Sequence, residues 1–464
     1  MNLDHLSQND TIVACATPPG MGAIAVIRLS GPDSIKLTQS IFRPFNKEKD
    51  LSKEKSHTAH FGNIIDENFE AIDEVLINIF HEGKSFTGEE TTEISCHGST
   101  YIVQAILSLL IKKGARPADA GEFTMRAYRN GKFDLAQAEA VADLIHSTSK
   151  ASAKLALNQL RGGVSSEISK LREQLMNFAG LIELELDFSE EDVEFADRTQ
   201  FKELIHKIQA TLKGLMDSFE LGNAIKNGIP VAIVGEPNVG KSTLLNVLLQ
   251  EERAIVSDIA GTTRDVIEDQ INVGGITFRF IDTAGIRDTQ DEIESKGIEK
   301  TYQKIKQAQI VLQLFDATQE SLNSIVEKAQ KLTDDFPDQA FLTIINKADT
   351  LPVSDSIPLS DDTLLISAKE KIGLEQLQQK LASFIDLGKV NAGDIVITNT
   401  RHFNSLQKAH NNLSQVLSAM DQGLPGDLLA IDIRAALQNL GEITSDITTD
   451  DLLGHIFSKF CIGK

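Results

Sequence analysis

The chain has 464 residues, 41% of them hydrophobic and none Trp, enough for about two to four domains with cores of Leu, Ile, Val, Ala and Phe. A formal net charge of −22 argues against a broad nonspecific nucleic-acid surface, because a phosphate backbone would be repelled at long range. Cys15, Cys96 and Cys461 show no CxxC spacing, and no basic leader or apolar run of about 18 residues is present, so a reducing, cytoplasmic setting without membrane insertion is expected.

Residues 11 to 125 mix short β-like runs (TIVACAT, GAIAVIRLS, EVLINIF, TTEISCHG) with one strong helix, YIVQAILSLLIKKG, and predict a compact α+β unit over 1–125. From Phe133 apolar residues recur at three- and four-residue spacing, which predicts packed amphipathic helices. An acidic elbow, DFSEEDVEFAD, precedes a further helix from Phe201 to Gly228. At Ile229 the period changes. PVAIVGEPNVGKSTLLNVLLQ reads as strand, glycine loop and helix, and FRFIDTAG, QIVLQLFD and AFLTIINKAD as further strands of a mostly parallel α/β unit. Helical character resumes in TRHFNSLQKAHNNLSQVLSAM and DLLAIDIRAALQNLGEIT. Four beads on a string would fit this order. The preferred reading joins 126–222 and 386–464 into one helical domain with 223–385 inserted, because neither helical stretch is an obvious complete domain.

GEPNVGKS, residues 235 to 242, has the spacing G-x-x-x-x-G-K-[ST] between an apolar strand and a helix. Backbone N–H groups of such a loop wrap phosphates, and the helix N-terminus favours their charge. Asn238, Val239, Gly240, Lys241, Ser242 and Thr243 are therefore assigned to the nucleotide, with Lys241 on the β- and γ-phosphates and Ser242 on Mg²⁺. Thr262 and Thr263 fall where a switch segment would meet Mg²⁺ and the γ-phosphate. Asp282, Thr283, Ala284 and Gly285 form DTAG, which fits the Mg²⁺ side and the terminal phosphate. In NKAD, Asp349 can accept N1–H and the 2-amino group of guanine, while Asn346 and Lys347 brace the base and loop. Adenine offers no such pair of donors, which disfavours an ATPase. Ser367, Ala368 and Lys369 form SAK, suited to a backbone contact with the guanine oxygen. Four motifs in this order predict a GTPase. The residue after DTAG is Ile286, which has no acceptor with which to orient the attacking water.

Through these and further motifs the chain resembles the MnmE (TrmE) family of tRNA modification GTPases, among the TrmE-Era-EngA-like translational GTPases. The resemblance runs through DTIVACATPPGMGAIAVIRLSG, FTGEE, ARPADAGEFTMRAYRNGKFDLAQAEAVADLI, the GTPase set and the terminal CIGK. It implies a multidomain α/β and α fold: a Ras-like P-loop G domain inserted in a helical domain, preceded by an α+β domain that binds tetrahydrofolate and dimerises. It implies a homodimer that joins a flavoprotein, MnmG-like, in a heterotetrameric or larger complex. That complex builds the 5-aminomethyl or 5-carboxymethylaminomethyl group on the wobble uridine of tRNA, with a one-carbon unit from a tetrahydrofolate derivative (5-formyl- or 5,10-methylene-tetrahydrofolate).

By the same resemblance Asn238 is a K⁺ ligand, joined by Ser257, Ile259 and Thr262 of VSDIAGTT, a loop whose residues Asp258, Ala260, Gly261 and Thr263 also enclose the nucleotide. The family usually has threonine where Ser257 stands, a harmless change if the carbonyl is the ligand. G domains of two copies meet face to face when K⁺ and a transition-state-like nucleotide are bound. Glu294, twelve residues beyond Asp282, matches the family's catalytic acid; from the sequence alone it is one of four acids in DTQDEIE, a pattern equally suited to a solvated surface. Arg28, Glu93, Lys132 and Lys464 match folate-contacting positions, with the basic groups against the glutamyl end and Glu93 against the pterin. Read singly, Arg28 is a strand-end charge, Glu93 a solvated strand acid and Lys464 a frayed terminus. Met21 stands in PPGMG where the family usually has a basic or small residue. Cys461 has no histidine or acid beside it and reads as a positioned residue rather than a nucleophile. The runner-up function is a regulatory GTP-binding protein for ribosome or RNA-complex assembly. Such proteins generally append a basic RNA-binding domain, which the acidic balance disfavours here.

Overall fold

The computed structural model describes residues 10–45, 50–187, 198–253, 270–281, 294–319, 321–350, 360–384 and 395–444, and near the C-terminus 453, 456–458, 460 and 462–463. The first unit is a seven-stranded sheet built from β1 (Ile12–Cys15), β2 (Gly22–Ser30), β3 (Phe42–Pro44), β4 (Thr58–Ile65), β5 (Ala71–Phe80), β6 (Thr91–Gly98) and β7 (Arg116–Pro117), in the order β3-β4-β5-β6-β2-β1-β7. Alternation in β5 sends Val75, Ile77 and Ile79 into the core and leaves Leu76 outward. The helices Ser34–Ile41 and Thr100–Lys112 cover that inner face through Ile35, Ile41, Ile106 and Leu110. On the other face Phe61 and Leu76 are cross-strand partners, both exposed, and Phe45 lies with its ring centroid 5.0 Å from that of Phe61.

The helix Glu122–Arg129 is tied to the strand ends by charge. Arg126 reaches Asp10 at 2.6 Å and Glu122 at 3.0 Å, and Arg116 reaches the same Glu122 carboxylate at 2.5 Å. Four long helices, Gly163–Asp187, Arg198–Asp217, Thr400–Asp421 and Gly426–Thr444, share one apolar core that includes Leu175, Ile208, Leu413 and Leu440. The sequence predicts one helix from Phe201 to Gly228, but it breaks at Ser218 between Arg198–Asp217 and Phe219–Asn227. Ser218 accepts the Ile397 N–H at 3.1 Å, and a side chain at Gly222 would run into the Ile397 carbonyl, so the returning chain docks at the break. Glu139 of Leu135–His146 is a second tie: it pairs with Arg401 at 3.0 Å and His402 at 2.9 Å. Although burial works against the charge, His402 and Arg401 hold the Glu139 carboxyl down at about 2. Breaking such a buried pair from one side costs about 3–5 kcal/mol.

The third unit is a six-stranded sheet of β8 (Ile229–Val234), β9 (Gln270–Val273), β10 (Ile276–Phe280), β11 (Ile310–Asp316), β12 (Ala340–Asn346) and β13 (Thr363–Leu365), ordered β13-β12-β11-β8-β10-β9. Every neighbouring pair is parallel except β9 with β10. Strand β9 is absent from the sequence reading. Its signal is Gly274-Gly275 between two short β-branched runs. Both glycines have positive φ (62° and 84°), as a two-residue hairpin turn of the primed type requires.

Near the C-terminus Leu453, Ile456, Phe457 and Phe460 pack on Met125, Leu135 and Ala138. Ile462 then pairs with Ala120, and Gly463 lies so close to the Cys15 carbonyl that a Cβ would clash. Among the described residues no helix is long and apolar enough to cross a membrane.

Candidate functional site: a guanine-nucleotide pocket at the carboxyl end of the sheet

Strand β8 ends at Val234, and the helix Lys241–Arg253 begins six residues after Gly235. Between them the backbone takes conformations that glycine tolerates. Gly235 sits at φ 154° against the Leu314 carbonyl, and Gly240 at φ 100° against the Asn346 amide nitrogen; a Cβ at either would clash. Asn238 occupies the left-handed region at φ 64° with its side chain exposed, a conformation asparagine accepts more readily than most residues. The Lys241 ammonium folds back on its own loop, donating to the carbonyls of Gly235 at 2.9 Å and Glu236 at 2.8 Å. Burial, with the charge of Lys304 added, lowers its pKa, so a bound anion would relieve an unfavourable charge there. Ser242 is half-buried and Thr243 exposed on the first turn of the helix, while Val239 is buried beneath the loop.

Asn346, at the end of β12, is the keystone of the pocket. Its buried side chain donates to the Val239 carbonyl at 2.8 Å and accepts the Ala368 N–H at 3.0 Å. One amide thereby ties the phosphate loop to SAK across the end of the sheet. Removing it would strand two buried backbone groups, at about 1–3 kcal/mol each. Lys347, also left-handed at φ 61°, pairs with Asp316 at the tip of β11, 2.6 Å away. Burial alone would raise the Asp316 pKa, but hydrogen bonds from Lys347 and Thr318 outweigh it and hold the carboxyl low. Asp316 is a contributor that the sequence reading missed; its signal was an acid ending a buried strand beside NKAD.

Asp349 lies in the short turn Ala348–Thr350 with its carboxylate exposed. That turn is pinned at both ends: Ala348 N–H donates to Ile366 O at 3.0 Å, and Thr350 Oγ1 to Lys347 O at 2.7 Å. Ser367 and Ala368 are buried, and Lys369 is exposed beside Glu370. Asn238 to Thr243, Asn346, Lys347, Asp349 and Ser367 to Lys369 thus gather at the carboxyl ends of parallel strands, where open α/β sheets bind ligands. Ser257 to Thr263 and Asp282 to Gly285 lie outside the described residues. Glu294 opens the helix Glu294–Gln307.

In the first unit Arg28 and Glu93 are register partners on β2 and β6, and they bind each other at 2.8 Å. Arg28 also lies over the rings of Phe86 at 5.6 Å and Phe123 at 5.7 Å. Lys132 donates to the Gly83 carbonyl at 2.5 Å. Lys464 and Cys461 lie outside the described residues, but their neighbour Gly463 abuts Cys15, whose partner on β2 is Ile27, next to Arg28.

Comparison with known proteins agrees with this geometry. The chain matches the family description "MnmE helical domain" over residues 135–461 and "GTP-binding protein TrmE N-terminus" over residues 11–132. It is 56% identical over 464 residues to the tRNA modification GTPase MnmE of Flavobacterium johnsoniae, covering 98% of this chain and 99% of that one. To the proteins of the same description from Cytophaga hutchinsonii and Bacteroides thetaiotaomicron it is 54% and 50% identical, over 99% and 98% of this chain and 98% and 99% of theirs.

Proposed function

The chain belongs to the MnmE (TrmE) family of tRNA modification GTPases, and from that premise we propose a K⁺-activated, Mg²⁺-dependent GTP hydrolase that works with an MnmG-like flavoprotein on the wobble uridine of tRNA. The observation that carries the nucleotide reading is the Asn346 clamp, which unites the phosphate loop, NKAD and SAK in one pocket. Lys241 and the N–H groups of Val239 to Thr243 hold the phosphates, Ser242 and Thr263 the Mg²⁺, and Asp349 the guanine edge. Gly240 leaves no room for a side chain because the Asn346 amide packs against it, which keeps the phosphate loop seated on NKAD. Asn238, Ser257, Ile259 and Thr262 hold K⁺, and the exposed Asn238 side chain is available for it. A monovalent cation there supplies positive charge where the phosphates gain negative charge. Glu294 takes the part that Ile286 cannot, orienting the attacking water.

The first unit, residues 1–125, takes a reduced folate through Arg28 and Glu93, with Lys132 and Lys464 reaching it from the helical domain. Support comes from the arginine lying over two aromatic rings and from the C-terminal segment docked beside the same strands. The helical stretches 126–222 and 386–464 act as one domain carrying the G domain 223–385. The shared core and the single family match across 135–461 support that arrangement. The outward patch of Phe45, Phe61 and Leu76 supports pairing of two copies through the first unit. The setting is cytoplasmic.

The direct test of the biological role is the nucleoside profile of tRNA from cells lacking the gene. Loss of 5-aminomethyl-type wobble uridines is expected, and an unchanged profile would refute the role. Deleting residues 461–464 should weaken binding of 5-formyltetrahydrofolate about tenfold or more while leaving GDP affinity unchanged. Equal folate affinity by calorimetry would remove the C-terminal segment from that site.

A further inference from the structure

Strand β11 ends in Asp316 directly beside Asn346, the first residue of NKAD, and the Ala317 N–H donates to the Asn346 carbonyl at 3.1 Å. The two strand ends therefore leave the sheet together. The Asp316 carboxylate then divides its oxygens. Oδ1 accepts the Thr318 N–H at 2.9 Å and the Thr318 hydroxyl at 2.7 Å, which fixes the side chain against its own turn. Oδ2 accepts the Lys347 ammonium at 2.6 Å. The Asp316 side chain is 1% exposed and that of Lys347 is 38% exposed, so the carboxylate is the fixed anchor and the lysine is drawn to it.

Lys347 in turn holds the residue assigned to guanine. Its backbone is left-handed at φ 61°, a conformation that costs energy for any residue but glycine and persists where surrounding contacts enforce it. Its carbonyl accepts the Thr350 N–H at 3.1 Å and the Thr350 hydroxyl at 2.7 Å. Those two bonds close the turn Ala348–Thr350 on which Asp349 stands. The contacts run without a gap from Asp316 through Lys347 to Asp349.

We infer that Asp316 is a positioning residue for the guanine nucleotide: by holding the Lys347 ammonium it sets the NKAD turn, and so governs how long the nucleotide stays bound. Asp316 touches no nucleotide. Its effect is the same on GDP and GTP, because both carry the same base and that base lies away from the bond that breaks. An interaction that holds ground state and transition state alike changes KM and release, and leaves kcat alone.

The inference rests on the guanine-nucleotide reading, and the test keeps the two apart. Asp316→Asn keeps an acceptor for Thr318 and turns the atom facing Lys347 into a donor. Lys347→Met removes the ammonium at a part-exposed position and keeps most of the stem. Release of mant-GDP, steady-state GTP hydrolysis and the thermal midpoint without nucleotide are measured on the full chain for both variants and their combination. Each single variant should release mant-GDP about tenfold faster, raise KM for GTP by about as much and leave kcat within about twofold. The double variant should release it no more than about threefold faster than either single variant, because both substitutions remove one contact. Wild-type release from either single variant would overturn the inference. So would release about 100-fold faster in the double variant, the mark of two independent effects. A midpoint lowered by more than about 5 °C in both single variants would also overturn it, since the pair would then be a support of the fold. A wild-type chain that binds no GDP would overturn the guanine-nucleotide reading and this inference with it.

Discussion

Asp349→Asn should weaken GDP binding by roughly 1,000-fold and create comparable binding of xanthosine diphosphate. A carboxylate offers two acceptors, matched to the N1–H and 2-amino donors of guanine. Asparagine keeps one acceptor and turns the other position into a donor, which then confronts the 2-amino group. Xanthine carries a carbonyl at that position and restores the match. The side chain is exposed on a turn pinned by Ala348 and Thr350, so the exchange leaves the fold alone. Titration with both nucleotides decides it. Unchanged GDP affinity would place the base elsewhere.

Glu294→Ala should lower kcat for GTP by roughly 100-fold while GDP affinity stays within about twofold. Ile286 follows DTAG, and its side chain cannot accept a hydrogen bond from water. Some other group must hold that water, and Glu294 opens the helix that follows the DTAG segment. An interaction made only with the activated water appears in kcat and not in binding. A parallel loss of GDP affinity would instead mark Glu294 as a binding or structural residue. An unchanged kcat would remove it from the chemistry altogether.

The nucleotide pocket was legible in the sequence because its parts are local. A glycine loop between an apolar strand and a helix, and NKAD after another strand, each carry their geometry within about ten residues. The shift of period at Ile229 likewise marks where β8 begins. Long-range partners were not legible. Arg28 and Glu93 are cross-strand partners 65 residues apart. Glu139 meets Arg401 across 262 residues, and Thr148 meets Thr277 across 129. Nothing in the hydrophobic period of either segment marks such a pair. The hairpin strand β9 was missed for a different reason. Four residues, QINV, are too short to outweigh their surroundings, and only the glycine pair after them signals the turn.

The central assignment is that catalysis rests on K⁺ held by Asn238 and on Glu294, completed when two G domains meet. Steady-state GTP hydrolysis in KCl and NaCl at matched ionic strength, measured over a range of protein concentrations, tests it most directly. Hydrolysis should be about tenfold or more faster in KCl, because the smaller Na⁺ fits that set of oxygens badly, and the rate per chain should rise with protein concentration. Equal rates in the two salts at every concentration, with Glu294→Ala as fast as wild type, would contradict it.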